Sequence, residues 1–143
     1  MPNRSPSAGF VLLRIFDSEI KVLCLHGLDG NLDFPKGHCD PQDFNMFHTA
    51  QRECFEESAI LVSKNDLLTL DTILLDQLTL FCALTNQDAE IRKNPESGKY
   101  EHIAYEWCDP DIVEFILPEY LQSSIPWALT VIESYLTTGD KEP

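Results

Sequence analysis

Residues 34–60, FPKGHCDPQDFNMFHTAQRECFEESAI, constrain this chain more than any other stretch. At their centre stands Arg52-Glu53-Cys54-Phe55-Glu56-Glu57. A helix advances about 100° per residue, so it gathers Glu53, Glu56 and Glu57 into one arc roughly 100° wide. Phe47, Ala50, Cys54 and Phe55 fall on the neighbouring side. The helix can therefore pack one flank while holding three carboxylates beside it. Like charges at three- and four-residue spacing repel, by about 0.2–0.5 kcal/mol per pair on an exposed helix. Arg52 offsets part of that. A hard divalent cation offsets more, because oxygen ligands are what Mg²⁺ takes. A solvated acidic face would account for three glutamates alone. The segment in front argues otherwise: a Pro35-Lys36-Gly37-His38 turn and a proline-containing loop lead straight into the helix.

These residues resemble the Nudix box: glycine, five residues, glutamate, seven residues, then Arg-Glu-U-x-Glu-Glu-x-Gly-U, where U is a bulky apolar residue. Here Gly37 and Asp43 are followed by Arg52-Glu53-x-x-Glu56-Glu57-x-Ala59-Ile60. There are three departures. Asp43 stands in the place of glutamate, eight residues rather than seven separate it from Arg52, and Ala59 replaces the last glycine. The resemblance implies an α/β/α sandwich around a central mixed sheet, and an enzyme that splits a nucleoside diphosphate linked to another group.

At 143 residues the chain reads as a single domain over residues 1–143, large enough to bury a core, with residues 1–7 and 138–143 expected as frayed tails. No apolar run is long enough to cross a bilayer, and Met1 to Ser7 lacks the hydrophobic stretch of a signal peptide. Five widely spaced cysteines without a Cys-x-x-Cys pair argue against a disulfide framework or a structural zinc site, and fit a reducing cytoplasm. A net charge of −14 with ten Lys plus Arg disfavours broad nucleic-acid binding, which needs several cations per site. It suits a metal-assisted enzyme, where the cation meets the phosphates. The expected partner is a small nucleotide, and the chain is expected to act as a monomer.

Along the chain, Ala8–Phe16 and Ile20–His26 read as strands joined by a turn at Asp17-Ser18-Glu19. Asp43 is the expected N-cap of a helix reaching about Ser58. Leu67–Leu75 and Gln77–Thr85 form a strand pair turning at Asp76-Gln77, and Ala104–Asp109 a further strand. Asp111–Phe115 is a short helical turn. A last helix starts near Ser124, with Ala128, Leu129, Ile132, Tyr135 and Leu136 as its buried face. The pattern is α+β or α/β.

Two further runs, Ala89-Glu90-Ile91-Arg92 and Glu101-His102-Ile103-Ala104-Tyr105-Glu106-Trp107, are similar to segments of asymmetric diadenosine tetraphosphate hydrolases, as is the Pro-Lys-Gly-His turn. The resemblance spans about Gly9 to Trp107. It implies metal ligation by Glu53, Glu56 and Glu57, with Mg²⁺ as the cation and Mn²⁺ as the alternative. Glu101 is a further ligand or the general base that deprotonates water. Arg52 orients the glutamates. Lys36 and His38 sit where a phosphate would pass. Phe81, Tyr100 and Tyr105 are available to stack on a base, with Phe81 and Tyr105 equally suited to the core. The implied reaction is cleavage of diadenosine tetraphosphate to ATP and AMP. A 5′-end RNA pyrophosphohydrolase, another pyrophosphatase of the family and a non-catalytic nucleotide-binding module are the alternatives.

Overall fold

The computed structural model describes residues 6–138. Ser7–Phe16 forms β1 and Glu19–Gly27 forms β2. Asp17 and Ser18 between them both have positive φ, 47° and 73°, the primed-turn geometry whose twist matches the flanking strands. Ser7 thus opens a strand rather than fraying. Residues 1–5 and 139–143 of the two expected tails lie outside the described residues.

Among the described residues the sheet has seven strands and is mixed. β3 (Leu32–Asp33), β2, β1, β6 (Leu78–Leu84) and β5 (Ile73–Leu75) lie side by side, with β4 (Lys36–His38) added to β1 and β7 (His102–Cys108) to β2. β1 and β6 run parallel; the other pairs are antiparallel. β5 and β6 turn at Asp76-Gln77 as expected, but only Ile73–Leu75 of the expected Leu67–Leu75 strand is extended. Leu67 makes a single bridge to Ala83, and a bond from the Asp71 N–H to the Thr69 hydroxyl then turns the chain out of the ladder.

One divergence in this sheet positions the site. β1 and β2 pair only between Leu13↔Val22 and Phe16↔Glu19. Farther along, Ser7–Gly9 of β1 pair with β4, while Leu25 and His26 of β2 pair with β3. The two strands splay, and the Leu32–His38 segment fills the gap. Gly9 permits this: a Cβ there would overlap the Pro35 carbonyl and Lys36.

β1 is buried on both faces, which is why it reads as an unbroken apolar run. Ala8, Phe10 and Leu12 pack with Leu23, Leu25, Ala50 and Cys54 under α1 (Met46–Ser58). Val11 and Leu13 face the other way, against Ile125, Ala128 and Ile132 of α4 (Ser124–Thr138). The result is an α/β/α sandwich. Leu136, expected on the buried face of α4, is 54% exposed, because it lies one turn beyond Ile132, near the end of the helix. Two short helices, α2 (Pro110–Val113) and α3 (Glu119–Gln122), lie between β7 and α4.

Asp43 is not the cap of α1. Asn45, in an extended conformation, accepts the His48 N–H at 2.8 Å through its side-chain oxygen. At the other end Ala59 is left-handed (φ 65°), and its N–H reaches the Phe55 carbonyl at 3.0 Å.

Candidate active site

Arg52 organises the carboxylate helix. Its Nε and Nη2 donate to the two oxygens of Asp43 at 3.0 and 2.9 Å, the bidentate fork that a guanidinium makes best. Nη2 also donates to the His38 carbonyl at 3.0 Å. Nη1 reaches Glu53 at 3.3 Å and Glu56 at 3.4 Å. One side chain therefore ties α1 to β4 and to the loop between them. Asp43 also accepts the Thr49 hydroxyl at 2.7 Å and the Asp40 N–H at 2.9 Å, so its carboxylate is fully engaged. Hydrogen bonding from Arg52 holds the Asp43 carboxyl well below the usual range. With eight residues between Asp43 and Arg52 and the shorter acid at position 43, the fork still forms.

Glu53 and Glu57 face a cleft of about 800 Å³ opened by the splay of β1 and β2. Glu57 accepts the Lys36 N–H at 3.0 Å, which locks α1 to β4 from the carboxylate side. Burial raises its pKa to about 9; Glu53, Asp33 and Glu101 push the same way, against the Lys36 N–H. Burial likewise raises Glu53 to about 7, opposed by Arg52 and aided by Glu56 and Glu101. Gly37 sits directly under Glu53: a Cβ there would overlap the carboxylate.

Glu101, exposed at the start of β7, lines the same cleft and accepts the Asn94 amide at 3.1 Å. Glu56 does not line it; its carboxylate lies 3.4 Å from Arg52 Nη1. Among the described residues no three His, Cys, Asp or Glu side chains converge as a ready cage for a metal ion. Glu53 is held by Arg52 and Glu57 by Lys36, and like charges keep the carboxylates apart. The donors nevertheless fit a divalent cation. Burial and neighbouring carboxylates raise the proton affinity of Glu53 and Glu57, and a hard, oxygen-loving ion relieves that repulsion without a proton.

Lys36 and His38 line the cleft from β4. Burial lowers the Lys36 pKa, but Asp33, whose carboxylate lies 3.3 Å from Nζ, and Tyr120 outweigh it, and the net shift is upward. His38 stands beside Ser7, its Nδ1 3.3 Å from the hydroxyl. None of the three aromatic residues named as candidates to stack on a base, Phe81, Tyr100 and Tyr105, lines the cleft. Phe81 pairs in register with Phe10 and packs on Phe10 and Phe47 with ring centroids 5.9 and 5.4 Å apart, beneath α1. Tyr100 lies outside the lining, 5.7 Å from the Lys93 ammonium. The aromatic ring that does line the cleft is Tyr120 of α3, 52% exposed and 5.9 Å from Lys36 Nζ. His102, buried beside Glu101, lines it too, with its pKa lowered by burial.

A mixed-sheet α/β/α sandwich with an Arg-Glu-x-x-Glu-Glu helix bordering a cleft defines a class of phosphoric anhydride hydrolases. The NUDIX domain family matches residues 6–128. The chain belongs to that family and is a pyrophosphohydrolase. Nudix hydrolases generally use divalent metals, typically Mg²⁺. Solved structures agree on the fold. An Ap4A hydrolase of C. elegans, captured as a binary complex, is 21% identical, with 94% of this chain and 98% of that one covered and a TM-score of 0.64. The NUDIX domain of Shewanella oneidensis NrtR, complexed with ADP ribose, is 17% identical over 95% and 90%, with a TM-score of 0.68. RenU, a Nudix hydrolase from M. smegmatis, is 17% identical over 92% and 87%, with a TM-score of 0.67. No curated protein sequence matches the chain. All five cysteines are free, and among the described residues no helix is long and apolar enough to cross a membrane.

Proposed function

We propose that this chain hydrolyses dinucleoside tetraphosphates with Mg²⁺, splitting diadenosine tetraphosphate into ATP and AMP. The observation that favours a two-ended substrate is a pair of cavities with a common wall. The main cleft and a groove of about 330 Å³ share Lys36, His38 and Tyr120. Both volumes fall in the range of small-molecule sites, about 300–1,000 Å³. One nucleoside occupies each cavity, and the phosphate chain crosses the shared wall. There Lys36 supplies a cation and Tyr120 an aromatic face.

Glu53, Glu57 and Glu101 hold the cation, with Glu56 left as a partner of Arg52. When bound, the cation spreads the charge that develops on the phosphoryl oxygens. Arg52 acts through other residues: it sets the Glu53 and Glu56 carboxylates against Asp43 and β4. Glu101 takes the proton of the attacking water as the new P–O bond forms and the bridging bond between the α- and β-phosphoryl groups breaks. That carboxylate is exposed and lines the cleft, within reach of water.

The Ap4A hydrolase neighbours support this substrate class. The ADP-ribose complex of the NrtR domain supports a second reading, a nucleoside diphosphate sugar with the same two-ended shape and a shorter phosphate chain. The net charge of −14 weighs against a 5′-triphosphorylated RNA. A side-by-side measurement of kcat/KM on diadenosine tetraphosphate, ADP-ribose and 5′-triphosphorylated RNA with Mg²⁺ separates the three. The first should lead by a clear margin. A lead for the sugar or the RNA overturns the tetraphosphate assignment.

A further inference from the structure

The loop before β7 carries a side chain that touches the proposed base without belonging to the carboxylate set. Asn94 and Lys99 close this loop: the Asn94 N–H donates to the Lys99 carbonyl at 2.8 Å, and the Gly98 N–H returns to the Asn94 carbonyl at 2.8 Å. The Asn94 side-chain oxygen accepts two more backbone donors, Glu96 N–H at 2.8 Å and Ser97 N–H at 3.2 Å. Only the amide oxygen can accept those bonds, so the orientation of the amide is set and its NH₂ points the other way. There it donates to Glu101 Oε2 at 3.1 Å. Both residues line the main cleft. An exposed carboxylate held by water alone has no preferred direction, whereas one held by an amide already locked to its loop does.

Resting on the hydrolase reading of this cleft, we propose that Asn94 is a positioning residue for Glu101, aiming its carboxylate into the cleft. Asn94 makes this contact without a charge of its own.

Asn94→Asp isolates this role. Aspartate keeps an oxygen for the Glu96 and Ser97 N–H groups, so the loop survives, but it turns the donor toward Glu101 into a repelling acceptor. With diadenosine tetraphosphate and Mg²⁺, Asn94→Asp should lower kcat by about 10–100-fold, the usual scale for a group that orients a ligand or base, with KM nearly unchanged. In a Glu101→Gln background the same change should cost nothing further in kcat. Metal-free melting temperatures supply a readout independent of turnover. Asn94→Asp should lower Tm in the wild-type background and restore it beside Glu101→Gln, where the glutamine NH₂ donates back to Asp. Equal Tm losses in both backgrounds, or a wild-type kcat for Asn94→Asp when Glu101→Gln is impaired, would overturn the role of Asn94 alone. If Glu101→Gln itself keeps the wild-type rate, the role of Glu101 falls first and that of Asn94 with it.

Discussion

Glu57 lies in the most demanding environment of the candidate site. Its folded pKa of about 9 stands above the ordinary 4.5, so the folded protein holds a proton that the unfolded chain releases near pH 4.5. Stability contributed by that protonated form is complete below about pH 4.5 and is lost as pH rises toward 9. Metal-free protein should therefore melt at progressively lower temperature across this window, and Mg²⁺ should flatten the decline by binding the native state. Glu57→Gln should raise the metal-free Tm at pH 8 while lowering kcat by about 10²–10³-fold, the scale of losing one preorganised electrostatic contact. Melting curves with and without Mg²⁺, beside turnover rates, check both halves. Gly37 makes a second residue-scale case. In Gly37→Ala the atoms nearest the new methyl are all at the flexible end of Glu53, so the fold should tolerate it. The carboxylate must move, however, and kcat should fall by about 10–100-fold with Tm nearly unchanged. At this scale the glutamates and Arg52 were legible in the sequence, because their spacing on one helix sets their relations. Tyr120 was not: it reaches the cleft from a four-residue helix far along the chain, and nothing in its neighbours marks it. Phe81 misled for the opposite reason. An aromatic residue on a strand reads the same whether it faces a ligand or, as here, another phenylalanine across the sheet.

Among the elements, α1 shows how local chemistry and tertiary demand divide the residues between them. Asp43 and Asn45 are both good capping types. Arg52 claims Asp43 with two hydrogen bonds, which leaves Asn45 to cap the helix. The sequence set the end of the helix at Ser58 correctly but its beginning wrongly, because the competitor for Asp43 lies nine positions away. At the exit Ala59 adopts the left-handed conformation that a non-glycine residue takes at a cost of about 1–2 kcal/mol. Ala59→Gly should relieve that strain, less the greater freedom glycine gains when unfolded, for a net gain of about 0.5–1 kcal/mol. In a domain of this length that is about 2–4 °C in Tm, with activity unchanged, measurable by thermal melting. The short strands gave the weakest signal of all. β3 and β4 are two and three residues long, held in place by the splay of β1 and β2 rather than by any periodicity of their own.

In the whole molecule the sheet serves the cleft. The divergence of β1 from β2 opens it, β3 and β4 furnish Asp33, Lys36 and His38, and α1 and β7 bring the carboxylates Glu53, Glu57 and Glu101 to one side. The α+β or α/β pattern was legible in the order of strands and helices, and the sandwich through the resemblance of the box; β1, buried on both faces, read only as a buried strand. The pairing of two cavities across Lys36, His38 and Tyr120 was not, since it arises from elements joined only in three dimensions. A protein of net charge −14 binding a polyphosphate places most of the burden of neutralisation on a bound cation and on Lys36. The central claim is that this cleft cuts a two-ended tetraphosphate off-centre. Chromatographic analysis of the products formed from diadenosine tetraphosphate with Mg²⁺ tests it most directly: ATP and AMP in equal amounts are the predicted result, and two molecules of ADP, or no turnover, would contradict it.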